Sequence, residues 1–162
     1  MEKHPLFLSI DFGTQSVRAL VIAPDGSIEE MAALKTEPYY VRKPGYAEQD
    51  PSYYWQKFTE CTQLLMQKLS DEQKRGIRAA TLTTQRSTVI VTDSGGEALR
   101  PAITWLDRRQ ADLENWPAGM TKIGLKAIQM YGALAYSIRE SEANWIRQNE
   151  PEIWEKTHKV LF

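Results

Sequence analysis

The sequence has little cysteine, no long apolar run and no excess of one charge, and each absence excludes a class of protein. Cys61 is the single cysteine among 162 residues, which excludes an internal disulfide and a cysteine-rich metal site. With 20 basic and 21 acidic residues the formal net charge is -1, so bulk electrostatics favour neither nucleic acid nor an anionic membrane as a partner. No apolar stretch has the length of a membrane span, and the N-terminus lacks a secretory signal. These features predict a cytoplasmic protein without nucleic-acid or membrane partners.

Three extended segments open the chain. Leu6 to Asp11 and Val17 to Ala23 are apolar runs of strand length, and a third segment runs from Ile28 to about Thr36. The two connections are a Gly-Thr-Gln-Ser turn and a Pro-Asp-Gly-Ser turn at 24–27, whose residues favour tight reversals. Connections this short predict an antiparallel meander.

A helix follows an irregular loop at 37–49. Asp50 is a good N-cap and Pro51 suits the first helical position. Apolar residues then recur at intervals of three and four and form one face, namely Tyr54, Phe58, Cys61, Leu65 and Leu69. We therefore interpret Cys61 as a core residue rather than a reactive thiol.

The remainder is predicted to begin with strands and to continue with helices. The predicted strands are Ile77 to Thr84, Thr88 to Thr92 and an extended Leu99 to Trp105. The predicted helices are Asp107 to Asn115, Thr121 to about Met130 and Ile138 to Gln148, with a helical turn at Pro151. Residues 159–162 are interpreted as a strand without a partner. Trp105, Trp145 and Trp154 either stack on a sugar or pack in a core, and helical spacing favours the core.

The turn between the first two strands has the composition of a phosphate-binding loop. Gly13 allows backbone N–H groups to approach phosphate oxygens, and Thr14, Gln15 and Ser16 add side-chain donors. Asp11, at the end of a strand, is placed to hold Mg²⁺ through water. Arg18 either reaches a phosphate or lies on a solvated strand face. A plain hairpin whose hydroxyls satisfy the turn is the alternative reading.

Three later segments, together with this turn, carry a resemblance to a known family. They read GYAEQDP at 45–51 with Trp55 after it, TTQRS at 83–87, and RPAITWLDRR at 100–109. The segments resemble the FGGY family of carbohydrate kinases. The turn is similar to the first phosphate loop of the actin, hexokinase and heat-shock chaperone superfamily. The resemblance implies an α/β fold, a ribonuclease H-like (actin-like ATPase) domain, of which residues 1–162 are the incomplete N-terminal part.

The resemblance also implies a function and a set of site residues. It implies an ATP-dependent kinase that transfers the γ-phosphate to a hydroxyl of a sugar or polyol, with ATP and Mg²⁺ as cofactors. The implied roles are phosphate binding by Gly13, Thr14, Gln15, Ser16 and Arg18, metal binding by Asp11, and substrate binding by Gln85, Arg86, Ser87 and Tyr136. Arg86 offers a rigid fan of donors to hydroxyls, the alternative being a surface arginine at a strand end that pairs with a carboxylate. Gln85 either contacts the sugar or bonds backbone. Asp107 either contributes to the site or caps a helix, with Arg108 and Arg109 on a solvated face.

Departures from the family leave the substrate open. Ser87 stands where the resemblance would place a glutamate in glycerol kinases and a histidine in xylulose kinases, and the tyrosine of glycerol kinases falls at Tyr136 or Ser137. A missing carboxylate removes a strong acceptor for hydroxyls, so another polyol or a ketose fits at least as well as glycerol.

The chain carries no motif for the catalytic base. The base is expected beyond Phe162, so this chain alone is expected to be inactive. A non-catalytic or chaperone-like ATPase of the same superfamily is the alternative function. An unpaired final strand favours association, so a homodimer is among the expected partners.

Overall fold

A computed structural model describes residues 5–114 and 116–162. Its strands are β1 (Leu6–Phe12), β2 (Ser16–Ile22), β3 (Ile28–Lys35), β4 (Glu48–Gln49), β5 (Ile77–Thr83), β6 (Ile90–Thr92), β7 (Ala102–Ile103) and β8 (Lys159–Leu161). Its helices are α1 (Pro51–Lys68), α2 (Asp71–Gly76), α3 (Gly119–Ala127), α4 (Met130–Arg139), α5 (Glu142–Asn149) and α6 (Pro151–Lys156). Among the described residues, no helix is both long enough and apolar enough to cross a membrane.

The chain divides into two compact units. The first comprises the residues up to Tyr40 together with Gln49–Arg86, and the second comprises Val41–Glu48 together with Ser87–Phe162.

The first unit is built on a four-stranded sheet with the order β3-β2-β1-β5. The first three strands pair antiparallel, which confirms the predicted meander. The fourth strand, β5, runs parallel to β1, because α1 and α2 return the chain to the edge at which β1 began. Parallel pairing brings the carboxyl ends of β1 and β5 to the same edge of the sheet.

Helix α1 covers this sheet and contributes side chains to its core. Asp50 accepts a hydrogen bond from the backbone N–H of Ser52 (2.9 Å), and Pro51 opens the helix, so both predicted start signals are confirmed. Cys61 and Leu65 are fully buried against the apolar residues of β1 and β2. The thiol of Cys61 donates to the carbonyl oxygens of Val17 (3.5 Å) and Ala32 (3.6 Å). The core interpretation of Cys61 is therefore confirmed.

Helix α2 was not predicted, although its signal is present in the sequence. The Ser70 side chain accepts the backbone N–H of Gln73, and the Gln73 side chain accepts the N–H of Ser70. This reciprocal capping box satisfies two N–H groups that a helix start otherwise leaves unpaired. It explains how six residues remain helical between α1 and β5.

The second unit has its own small core. The buried residues of this core are Val89, Val91, Ile103, Ala111, Trp145 and Ile146. Trp145 is 9% exposed and Trp154 is partly buried against the same cluster, as the core interpretation of these two tryptophans predicted.

Two secondary-structure predictions for the second unit, a helix and an unpaired strand, are wrong. Residues 107–114 are not helical, because their backbone groups bond elsewhere: the N–H of Ala111 donates to the carbonyl of Arg139 (2.8 Å), and that of Asp112 to the Gln148 side chain (2.8 Å). Asn115, the last residue of that predicted helix, lies outside the described residues. The final strand has a partner after all, since β8 pairs antiparallel with β6.

The helices near the C-terminus differ from the prediction in their bounds. The predicted helix from Ile138 to Gln148 is divided at Glu140 and Ser141, between α4 and α5. The Ser141 hydroxyl accepts the N–H of Asn144 (3.3 Å) and caps α5, because a serine oxygen competes well for the first free N–H groups of a helix. Helix α6 begins at Pro151, as predicted.

Candidate functional site

The turn between β1 and β2 is held closely in a defined shape. The N–H of Gly13 donates to the carbonyl of Ser16 (2.9 Å), and a Cβ built on Gly13 would lie 3.2 Å from that same oxygen. The carbonyls of Thr14 and Gln15 accept hydrogen bonds from the Thr36 hydroxyl (3.1 Å) and N–H (3.0 Å). Gly13, Thr14, Gln15 and Ser16 therefore lie on one tight, anchored turn, in which a Cβ at position 13 would be crowded.

Asp11 and Arg18 face each other across this hairpin. They are Cα partners in the β1–β2 ladder, which places both side chains on the same face of the sheet. Arg18 is exposed and Asp11 is partly exposed. The Thr83 hydroxyl of the neighbouring strand donates to Oδ1 of Asp11 (2.9 Å). The carboxylate is thus held from one side, with a cationic side chain opposite it in the ladder.

The end of β5 lies beside the turn. Gln85 donates from Nε2 to the carbonyl oxygen of Gly13 (3.1 Å), so its observed contact is with backbone, one of the two alternatives that the sequence left open. Arg86 is exposed, and among residues 5–114 and 116–162 no hydrogen bond or ion pair engages its guanidinium. The guanidinium of Arg86 is therefore exposed to solvent, and Arg86 directly follows Gln85, the residue that contacts the turn.

The other two predicted substrate residues belong to the second unit. Ser87 is exposed and adopts a positive φ of 61°, a left-handed conformation that residues with a Cβ adopt at a cost. Tyr136 lies on α4 and is 67% exposed. Both are accessible side chains with a hydroxyl.

A buried charge cluster in the second unit was missed by sequence reasoning. The Glu48 side chain is 4% exposed and forms ion pairs with Arg100 and with Arg109, whose Nη1 lies 3.0 Å from Oε1 of Glu48. Arg109 also donates hydrogen bonds to the carboxylate of Asp107 from Nε (2.8 Å) and Nη2 (2.7 Å). Nε of Arg100 lies 3.1 Å from Oε2 of Glu150. The sequence alone does not distinguish buried charged residues from charged residues on a solvated face. The expectation that Arg109 lies on a solvated helix face is wrong.

Aromatic rings enclose the Arg109 guanidinium. Its carbon atom lies 4.0 Å from the ring centroid of Tyr46 and 4.5 Å from that of Trp145, which suits a weakly hydrated, delocalised cation. Burial by itself lowers the pKa of Arg109, but the hydrogen bond and charge of Asp107 together with Glu48 raise it above its ordinary value. Burial lowers the pKa of Arg100, against the opposing charge of Glu150.

Asp107 stabilises a turn that contains Trp105. The backbone N–H and hydroxyl of Thr104 donate to the carbonyl of Ala47 (3.0 and 3.1 Å), and Oδ2 of Asp107 accepts the N–H of Ala47 (2.7 Å). The N–H of Asp107 donates to the carbonyl of Thr104 (2.9 Å) and closes the turn. Asp107 accordingly caps no helix. Trp105 is 50% exposed, so the core interpretation is wrong for this tryptophan.

The donor chemistry of the first unit suits a cation that keeps most of its water. In the part of the chain that the structure describes, no group of three or more His, Cys, Asp or Glu side chains could hold a metal. At the adjacent ends of β1 and β5, the oxygen-bearing side chains that meet are the Asp11 carboxylate and the Thr83 hydroxyl. Mg²⁺ is commonly bound by one or two carboxylates together with water and phosphate oxygens. The residues present are compatible with that mode of binding.

Comparison with solved structures shows the fold of the chain. The chain has the actin-like ATPase fold of solved sugar kinases: it superimposes on a xyloylose kinase from Brucella ovis with a TM-score of 0.73 at 24% identity, over 96% of this chain and 32% of that one. A ligand-bound xylulose kinase from Lactobacillus acidophilus gives a TM-score of 0.70 at 19% identity, over 96% and 31%. The predicted fold class is confirmed.

Sequence comparison shows the family. Residues 6–162 match the model of the N-terminal domain of the FGGY family of carbohydrate kinases, and the chain belongs to this family. It is 29% identical to glycerol kinase 1 of Saccharolobus solfataricus, over 96% of this chain and 30% of the relative. It is 28% identical to xylulose kinase of Escherichia coli, over 97% and 31%. The chain thus spans about a third of the length of these relatives.

Proposed function

We propose that this chain is the N-terminal part of the first domain of an ATP-dependent kinase that transfers the γ-phosphate to a hydroxyl of a sugar or polyol. One observation carries the proposal: the anchored turn at Gly13 and the strand end carrying Arg86 lie together at the carboxyl edge of two parallel strands. Ligands of open α/β sheets bind at that edge. Membership of a carbohydrate kinase family supports the same reaction.

The phosphates of ATP are assigned to the turn. Gly13 allows the close approach of the turn to phosphate oxygens, while its own N–H is bonded to the carbonyl of Ser16. Thr14, Gln15 and Ser16 are proposed to supply backbone and side-chain donors, with Arg18 as a cation beside them. Asp11 is the side chain that would hold Mg²⁺ through water. When bound, Mg²⁺ neutralises charge on the phosphates, which is the main electrostatic requirement of phosphoryl transfer. The turn then orients the nucleotide, since positioning supplies most of the remaining catalysis.

The sugar or polyol is assigned first to Arg86. Its exposed guanidinium offers several donors in a fixed plane to neighbouring hydroxyls. Ser87 and Tyr136 are proposed as further contacts with the substrate, each through its hydroxyl. Gln85 directly precedes Arg86 and contacts the backbone of the turn. The proposal leaves the substrate as a polyol or ketose. The catalytic base is assigned to a part of the protein outside these residues, and a cytoplasmic location and a homodimer are retained as predictions.

The test is ADP release by the full-length protein with MgATP against a panel of polyols, ketoses and aldoses. We expect turnover that depends on one sugar class. Arg86→Ala should lower kcat/KM for that sugar about 10- to 100-fold, because a hydrogen bond from a charged group contributes about 1.5–3 kcal/mol. Arg78→Ala, which alters an exposed arginine of β5, is the matched control and should change little.

Two results would contradict the assignment. ADP release that does not depend on any sugar would favour the chaperone-like ATPase instead. Equal losses in Arg86→Ala and Arg78→Ala would show that Arg86 makes no special contact with the substrate.

A further inference from the structure

Two side chains at the end of β5 hold the end of β1. The Thr83 hydroxyl donates to Oδ1 of Asp11 (2.9 Å), and Nε2 of Gln85 donates to the carbonyl oxygen of Gly13 (3.1 Å). We propose that this pair, named here the Thr83–Gln85 clasp, positions the metal and phosphate groups of the site. The proposal rests on the proposed function for its ligand, a magnesium nucleotide. It assigns both residues to the nucleotide and not to the sugar.

Thr83 acts on the Asp11 carboxylate. The terminal torsion of an aspartate has broad preferences, so an unsupported carboxylate samples several orientations. A hydroxyl 2.9 Å from Oδ1 removes much of this freedom through a charge-assisted hydrogen bond. The two residues are also Cα partners in the β1–β5 ladder, so the strand pairing fixes the position of the hydroxyl. Thr83 therefore selects the orientation in which Asp11 meets a hydrated cation.

Gln85 fixes the orientation of the peptide group between Gly13 and Thr14 in the turn. The peptide between Gly13 and Thr14 is planar and trans, so the carbonyl oxygen of Gly13 and the N–H of Thr14 point in opposite directions. Holding the oxygen with Nε2 of Gln85 therefore fixes the direction of the Thr14 N–H. Glycine is the residue whose backbone rotates most freely, so this peptide needs an external contact to keep one orientation. The Thr14 N–H is one of the donors assigned to phosphate.

The clasp spans the two halves of the first unit. Each of its hydrogen bonds joins residues 72 positions apart in sequence. Arg86, the residue assigned to the sugar, follows Gln85 directly. The end of β5 therefore carries both Arg86, which is assigned to the sugar, and Gln85, which positions the turn assigned to the nucleotide. Gln85 should affect nucleotide binding more than sugar binding, although it lies within the segment that resembles a substrate motif.

The experiment measures MgADP binding to the full-length protein by calorimetry, without sugar and with or without Mg²⁺. Thr83→Val removes the hydroxyl at similar volume, and Thr83→Ser keeps it. Thr81→Val, which changes an exposed threonine of the same strand, is the matched control. We expect Thr83→Val to weaken MgADP binding about tenfold, the lower end of the losses seen when a second-shell partner is removed. Thr83→Ser and Thr81→Val should remain close to the unmodified protein.

A double-mutant cycle distinguishes positioning from a structural effect. If Thr83 acts through the carboxylate, Thr83→Val should add no further loss of MgADP affinity in an Asp11→Asn background. For Gln85, Gln85→Met should raise the KM for ATP several-fold and leave the KM for the sugar within about twofold. Gln63→Met changes an exposed glutamine of α1 and should leave both constants unchanged.

Several outcomes would overturn the clasp. They are unchanged MgADP affinity in Thr83→Val, an equal loss with and without Mg²⁺, or a Gln85→Met variant whose defect lies in the KM for the sugar. If Thr83→Val does not fold, Thr83→Ala and Gln85→Met decide the question. Because nucleotide binding is measured without sugar, a protein that binds MgADP but phosphorylates no sugar would refute the proposed kinase and still test the clasp.

Discussion

Glu48→Gln tests the buried charge cluster, because it removes the carboxylate that contacts both Arg100 and Arg109. Glutamine keeps the shape of the side chain but carries no charge. The two arginine side chains are only 7% and 5% exposed, so water cannot replace the lost partner. The substitution leaves one guanidinium with Glu150 and the other with Asp107. The second unit should therefore be destabilised.

The magnitude follows from the distances. Unit charges 3.0 Å apart, as for Nη1 of Arg109 and Oε1 of Glu48, attract by about 5.5 kcal/mol at an effective dielectric constant near 20. Removing one partner of a buried ion pair costs about 3–5 kcal/mol. Because Asp107 keeps its two hydrogen bonds to Arg109, we expect a loss of about 3 kcal/mol in the free energy of unfolding.

The assay is urea unfolding of the chain followed by tryptophan fluorescence in a Trp55→Phe background. Trp55 belongs to the first unit and the other tryptophans to the second, so the signal reports the unit that contains Glu48. Glu114→Gln is the matched control, since its 2.8 Å pair with Arg147 is 47% and 44% exposed and should contribute no more than about 1 kcal/mol. A Glu48→Gln loss no larger than that of Glu114→Gln would refute the reasoning.

Two further predictions concern stability. Burial, with a smaller contribution from the charge of Tyr53, raises the pKa of Tyr54 from 10.0 to about 12, so unfolding should become easier as the pH rises from about 10 towards 12, where only the unfolded chain ionises fully. Tyr54→Phe should flatten this pH dependence of the urea midpoint, and an unchanged slope would contradict the assignment. Ser87→Gly should raise the free energy of unfolding by about 0.5–1 kcal/mol, because glycine adopts the observed φ of 61° without strain. Ser87→Ala, which keeps a Cβ, should show no such gain in the same urea titration.

The first unit was largely predictable because its signals are local. Alternating apolar residues, two short turns and a helix start at Asp50 and Pro51 are each encoded within a few residues. Antiparallel pairing follows from the shortness of the turns. The glycine at position 13 also fits a local requirement, since a Cβ there would crowd the carbonyl of Ser16. The capping box at Ser70 was local as well and available to sequence reasoning.

The second unit was less predictable because distant segments decide it. Residues 107–114 have the composition of a helix, yet their N–H groups bond Arg139 and Gln148. The last strand finds its partner in β6, about half the chain away. Arg109 is buried only because residues 45–48 and α5 bring Glu48, Tyr46 and Trp145 around it. Periodicity reports which face of a segment is apolar and carries no information about which segment covers it.

The candidate site shows the same division. The sequence by itself determined the glycine turn, the aspartate before it and the arginine after β5, because each motif is contiguous and its chemistry is evident from residue type. Only the tertiary structure decided that Thr83 bonds Asp11 and that Gln85 bonds Gly13. Those contacts depend on the parallel pairing of β1 with β5, which brings together residues that three strands and two helices separate in the chain.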